Sequence, residues 1–180
     1  MRWQRFFLFS VPVWLATTAC NRPPAPRPAS QPMPRNTNVY SDRALPKLPS
    51  LRLWIGKHEI DAEVAVTPRE LATGMMFRKS IGENEGMLFR LPVPQQAAFY
   101  MRNTEVPLSC AYIDPEGTIL EIHDLQPLNE QPVASASDNI QYVLETKQGW
   151  FQRHEIGIGT VVRTAQGALA EVFTRKSGQL

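Results

Sequence analysis

The sequence predicts an α+β domain, mainly β, built on a curled antiparallel or mixed sheet that is barrel-like and carries one or two short helices. Three observations lead there. Short apolar runs recur along residues 51–180 with turn-forming residues between them. One segment, Thr67-Pro68-Arg69-Glu70, carries a clear helix start. A chain of 180 residues with 43% apolar and 20% charged residues has room for one ordinary core.

The elements follow in order. Leu51, Leu53 and Ile55 alternate with Arg52 and Trp54, and beyond Gly56-Lys57 the residues Ile60, Ala62, Val64 and Val66 alternate with Glu59, Asp61 and Glu63. This predicts a hairpin with a two-residue type II′ turn and one wet, acidic face. The capping box at Thr67 predicts a helix over 68–76 whose buried stripe is Leu71, Ala72 and Met75, with Gly74 weakening the last turn. After a polar loop over 80–85, extended runs are expected at 87–91, 97–101, 110–113, 118–125, 140–147, 160–164 and 169–174. Asp114-Pro115-Glu116-Gly117 is a turn with Pro at its second position and joins two of these runs as a hairpin. Residues 149–155 are expected to make one helical turn.

The chain before the domain has its own composition. Residues 1–19 carry Arg2 and Arg5, an apolar run from Phe6 to Ala16, and small residues ending at Cys20. That is the layout of a signal peptide, with an apolar core short for a membrane span. The position of Cys20 resembles a bacterial lipoprotein signal, which implies diacylation of its thiol and cleavage before it; an ordinary cleaved signal or an uncleaved anchor is the alternative. From residue 21 to 50, eight of thirty residues are proline, and five Lys or Arg stand against one acid. Residues 20–50 are therefore expected to be a lipidated Cys and an extended linker, able to hold a domain several tens of Å from a surface at roughly 3 Å per residue. Residues 51–180 form the single domain. The expected location is the bacterial cell envelope, lipid-anchored and facing the periplasm, or else secreted or soluble in the periplasm.

Charge divides along the same boundary. The domain holds twelve Lys and Arg against sixteen Asp and Glu, a net of −4, whereas the linker is +4. An acidic domain without a basic face does not suit nucleic acid, so no nucleic-acid partner is expected. With Cys20 acylated, Cys110 is the sole remaining cysteine, and its neighbours Ala111, Tyr112 and Ile113 suit a buried small hydrophobe better than a reactive thiol.

The stretch GMMFRKSIGENEGMLFR, residues 74 to 90, says nearly the same thing twice. Its first copy closes the predicted helix and its second opens a strand, so it reads as a helix exit and a strand entry whose Met and Phe side chains meet in one core. Together with Phe99-Tyr100-Met101-Arg102-Asn103-Thr104, Pro107-Leu108, the turn at 114–117, Val143-Leu144-Glu145, Gly149 and Gly159, it resembles the domain-of-unknown-function 192 family over roughly residues 55–165. In that family an Asp often follows the Pro-Leu pair and another follows the last Gly; here Ser109 and Thr160 stand there. The resemblance implies a small β-rich single domain, often secreted or anchored, with no established activity and no catalytic residues to carry over.

The residues themselves narrow the chemistry. His58, His123 and His154 fall in separate elements without a nucleophile context, so no catalytic residue is assigned. Zinc would need three or four His, Cys or acidic ligands, and the adjacent pairs His123-Asp124 and His154-Glu155 face opposite ways on a strand. No glycine run suits a phosphate. Met75, Met76, Met87 and Met101 could hold Cu(I), but each sits among apolar neighbours and is read as core, so neither metal nor cofactor is expected. Arg78, Asn103 and Glu145 are the candidate ligand-binding residues: a guanidinium, an amide and a carboxylate beside apolar segments either fix a loop or line a pocket for a polar ligand. The expected function is a membrane-anchored envelope lipoprotein with a small binding or accessory domain for a polar small ligand or an envelope protein. The alternatives are a hydrolase acting on envelope polysaccharide or peptide with Glu145 as acid or base, and a scaffold for a protein partner.

Overall fold

In the computed structural model, which describes residues 39–174, β1 (Ser50–Ile55) and β2 (His58–Ala65) form the expected hairpin in antiparallel register from Ser50↔Glu63 to Ile55↔His58. Gly56 takes φ 60°, the value required at the first position of a II′ turn. The helix α1 (Pro68–Thr73) has the full capping box: Glu70 N donates to Thr67 Oγ1 at 3.3 Å, and Thr67 N donates to Glu70 Oε2 at 2.9 Å. It ends at Thr73, three residues before the expected 76, because Gly74 turns the chain with φ 47° and ψ −126°. Strand β3 (Glu85–Gln95) then runs parallel to β2, from Asp61↔Glu85 to Ala65↔Phe89, so the sheet is mixed.

Beyond β3 the run expected at 97–101 shrinks to the two-residue β4 (Ala98–Phe99). Strands β5 (Leu108–Ile113) and β6 (Ile119–Leu125) pair across the Asp114 turn, where Gly117 N donates to Asp114 O at 3.1 Å. Next come β7 (Val133–Ala134), which pairs with β4, and β8 (Ile140–Lys147), which lies between β3 and β5. The chain finishes with α2 (Trp150–Arg153), β9 (Val162–Thr164), β10 (Gly167–Ala168) and α3 (Leu169–Thr174). The strand expected over 169–174 is thus a helix. Its apolar residues follow a four-residue spacing: Leu169 is buried, and Phe173 stacks on Tyr142 at 5.8 Å between ring centroids beneath the Arg90 guanidinium.

The main sheet has the order β10-β9-β1-β2-β3-β8-β5-β6. It curls far enough to bring Thr118 against Val161, yet they share a single bridge rather than a ladder, so no barrel closes. Its central strands are buried on both faces; all six residues of β5 lie inside, as a continuous apolar run requires. One face packs Ile55, Ile60, Leu88, Leu144, Trp150 and Phe151. The other packs Met75, Met87, Phe89, Met101, Cys110, Tyr112 and Val143. Met75, Met87 and Phe89 of the doubled stretch therefore meet in one core, as expected, while Leu88 points to the other.

The segment just before β1 departs from the linker expectation. Val64 N donates to Pro49 O at 2.9 Å, Leu48 N to Glu63 Oε2 at 2.7 Å, and Ser41 N to Thr73 Oγ1 at 3.0 Å. Leu48 also packs on the second core. Residues 40–49 are docked on the domain because two partners, Glu63 and Thr73, lie far along the chain where composition cannot show them. The expected signal peptide, Cys20 and the rest of the linker lie outside the described residues. Among the described residues no helix is long and apolar enough to cross a membrane.

Candidate functional site

Strand β8 alternates across the sheet, so Val143 and Glu145 face the second core. Cross-strand register sets Glu145 between Met87 of β3 and Cys110 of β5. Its side chain is buried, with the residue 4% exposed, and makes no hydrogen bond or ion pair among the described residues. Burial alone pushes its pKa up to about 8, so the group is largely protonated at neutral pH. Burial, followed by the nearby Glu145 charge, likewise pushes the Cys110 thiol up to about 12, which removes it as a nucleophile.

Glu145 lines a cavity of about 40 Å³. The turn after α1 contributes Met75 and Met76, the sheet contributes Phe89, and the β4 segment contributes Phe99 and Tyr100. Gly74 permits this closure: a Cβ there would lie 2.9 Å from the Phe89 ring. The wall thus depends on both copies of the doubled stretch, Gly74 from one and Phe89 from the other.

A larger cleft of about 480 Å³ lies beside it, lined by Tyr40, Asp42, Phe77, Arg102, Asn103 and Glu130. Chain neighbours divide between the two: Met76 and Thr104 line the cavity, Phe77 and Asn103 the cleft. The Tyr40 and Tyr100 hydroxyls, one from each side, bond at 3.0 Å. Phe77 and Asn103 both hold left-handed backbone, φ 63° and 53°, and Phe77 N donates to Asn103 O at 2.8 Å. Such a conformation costs a bulky residue roughly 1–2 kcal/mol, whereas Asn tolerates it better. The strain sits in the wall between cavity and cleft.

The three candidate residues are therefore not brought together. Glu145 floors the cavity and Asn103 is exposed in the cleft. Arg78 does not face Glu145; its Nη1 and Nη2 grip Glu63 Oε1 and Oε2 at 3.0 and 2.8 Å. Because Glu63 Oε2 also accepts from Leu48 N, Arg78 secures the docked segment to β2. Its Nε is buried without a hydrogen-bond partner among the described residues.

Sequence reasoning missed several wall residues. Tyr40 and Asp42 fall in the linker by composition, Phe77 reads as core, and Tyr100 stands only within an extended run and a family motif. His58, His123 and His154 fall in separate elements as expected, although the rings of His58 and His154 lie 4.5 Å apart, with His154 stacked on Trp150 at 4.4 Å. Among the described residues no group of three or more His, Cys, Asp or Glu could hold a metal.

With this fold and these motifs, the chain belongs to the DUF192 family, an uncharacterized ACR, whose profile matches residues 52–164. It is similar to a solved protein of unknown function from Novosphingobium aromaticivorans, at 32% identity and a TM-score of 0.62 over 64% of this chain and 86% of that one. It is also similar to a proposed transcription regulator from Sinorhizobium meliloti, at 27% identity and a TM-score of 0.64 over 68% of this chain and 98% of that one. No curated protein matches it.

Proposed function

We propose that the chain is an envelope lipoprotein, anchored through Cys20, whose DUF192 domain is a binding module with the Glu145 cavity as its site. One observation carries the reading: a buried carboxyl that no other described group bonds lines a cavity. A buried polar group without a partner costs roughly 1–3 kcal/mol, and a ligand or water that bonds it recovers part of that. The cleft on the other side of the wall, with Arg102 and the acids Asp42 and Glu130, offers further polar contacts.

Binding is favoured over hydrolysis by what surrounds Glu145. A neutral carboxyl has the protonation state of a general acid, but glycoside cleavage needs a second carboxylate and acyl transfer an activated nucleophile. Its sheet neighbours are Met87 and a thiol held protonated. A regulator's role like that proposed for the S. meliloti protein finds no support in a domain of net charge −4.

Thermal-shift screening of envelope sugars, peptides and metals tests the module. A ligand should raise the melting temperature of the wild type by several degrees and leave Glu145→Gln unmoved; equal shifts in both would move the site elsewhere. For the anchor, Cys20→Ala should leave the membrane fraction and globomycin should block processing. Membrane retention of the variant would remove the lipid.

A further inference from the structure

Taken without the neighbouring cleft, the Glu145 cavity is too small to enclose an organic molecule. At about 40 Å³ it falls far below the several hundred Å³ that enclose small organic ligands, and it matches an ion or a water or two. The groups around it are unusual for a water site. Sheet register places Met87 and Cys110 directly beside Glu145, with Cβ atoms about 5 Å away on either side. Met75 and Met76 line the cavity together, which consecutive residues of a strand cannot do and the turn after Gly74 allows. Two thioethers thus line the cavity with one buried carboxyl, and a third thioether and a thiol flank that carboxyl in the sheet. Thioethers and thiols select soft ions, whereas Mg²⁺ and Ca²⁺ call for several oxygens.

We propose that this cavity binds a soft monovalent metal ion, Cu(I) or its redox-inert analogue Ag(I), with Met75, Met76 and Glu145 as donors and with Met87 and Cys110 flanking them. The proposal rests on the reading of the Glu145 cavity as the binding site and names the ligand class. No electron moves: the ion enters as Cu(I) or Ag(I) and stays so. When Glu145 coordinates, its carboxyl proton leaves to solvent and the ion's positive charge takes its place, so the buried site remains neutral overall. The cross-strand row through Glu145 also carries Glu63, paired with Arg78, beyond Met87 and His123 beyond Cys110, while Tyr112 lies on β5 and Tyr100 on the opposite wall. Cys110, Tyr112 and Tyr100 have raised pKa values, chiefly from burial, so at neutral pH they are uncharged.

The test is an Ag(I) titration of the full chain carrying Cys20→Ser, followed through ¹³C-labelled methionine methyl groups. The Met75 and Met76 methyl signals should move and saturate at one equivalent, while those of Met1 and Met33 stay still. Met75→Leu/Met76→Leu conserves volume and should fold, so its affinity in chelator competition should fall at least about tenfold. Absence of saturation, shifts confined to Met1 and Met33, or full affinity in the double variant overturns the proposal. If Ag(I) fails while an organic compound raises the melting temperature of the wild type but not of Glu145→Gln, the metal is discarded and the binding site stands.

Discussion

At the scale of single residues, Arg78 and Glu145 share a charged character in the sequence and opposite fates in the fold. Arg78 has a bidentate partner in Glu63, and the pair is largely buried, at 19% and 12% side-chain exposure. Removing the guanidinium leaves Glu63 inside with only the Leu48 amide to bond it. Arg78→Ala should therefore cost about 2–4 kcal/mol in urea unfolding. Replacing both partners by apolar residues of similar size, as in Arg78→Met/Glu63→Leu, should recover much of the loss, which tells a buried ion pair from a general packing defect. Glu145 has no such partner. Its type and position beside Val143-Leu144 were legible as a candidate, but not its surroundings, because they come from β3, β5 and the turn after α1.

At the scale of elements, local signals were the readable ones. The II′ hairpin, the capping box and the Asp114 turn each depend on residues within a few positions of one another, and each is present. Elements decided by distant contacts were not: α3 follows Phe173 packing on Tyr142, and the docked segment follows Glu63 and Thr73. Gly86 shows how a long-range demand hides in a local letter. It marked a strand entry in the sequence, whereas in the sheet a Cβ there would lie 2.7 Å from the Glu145 carbonyl oxygen. That neighbour is backbone and cannot swing aside. Gly86→Ala should spread the β3–β8 pair and cost roughly 2–3 kcal/mol by equilibrium unfolding. Wild-type stability in that variant would mean that the two strands have slack at this point.

At the scale of the whole molecule, the mainly β class follows from many short apolar runs, and the curl without closure follows from which ends meet. The sheet brings Met87, Glu145 and Cys110 into one row and the turn after α1 adds Met75 and Met76 to the cavity wall, which together make the candidate site. None of that row is local in sequence. Its claim, that the fold keeps a carboxyl buried and neutral above a small cavity, is visible in global stability. The native pKa of Glu145 is raised from the ordinary 4.5 to about 8, so between these values the folded state binds more protons than the unfolded state. Stability from this group is present below about pH 4.5 and is lost as pH rises toward 8. The direct measurement is the unfolding free energy of wild type and Glu145→Gln from pH 4.5 to 8.5, taken as a difference so that shared groups cancel. With the carboxyl held neutral, the wild type should lose a few kcal/mol relative to the variant across that window; a difference that stays flat, or runs the other way, would mean that Glu145 is not held protonated in the fold.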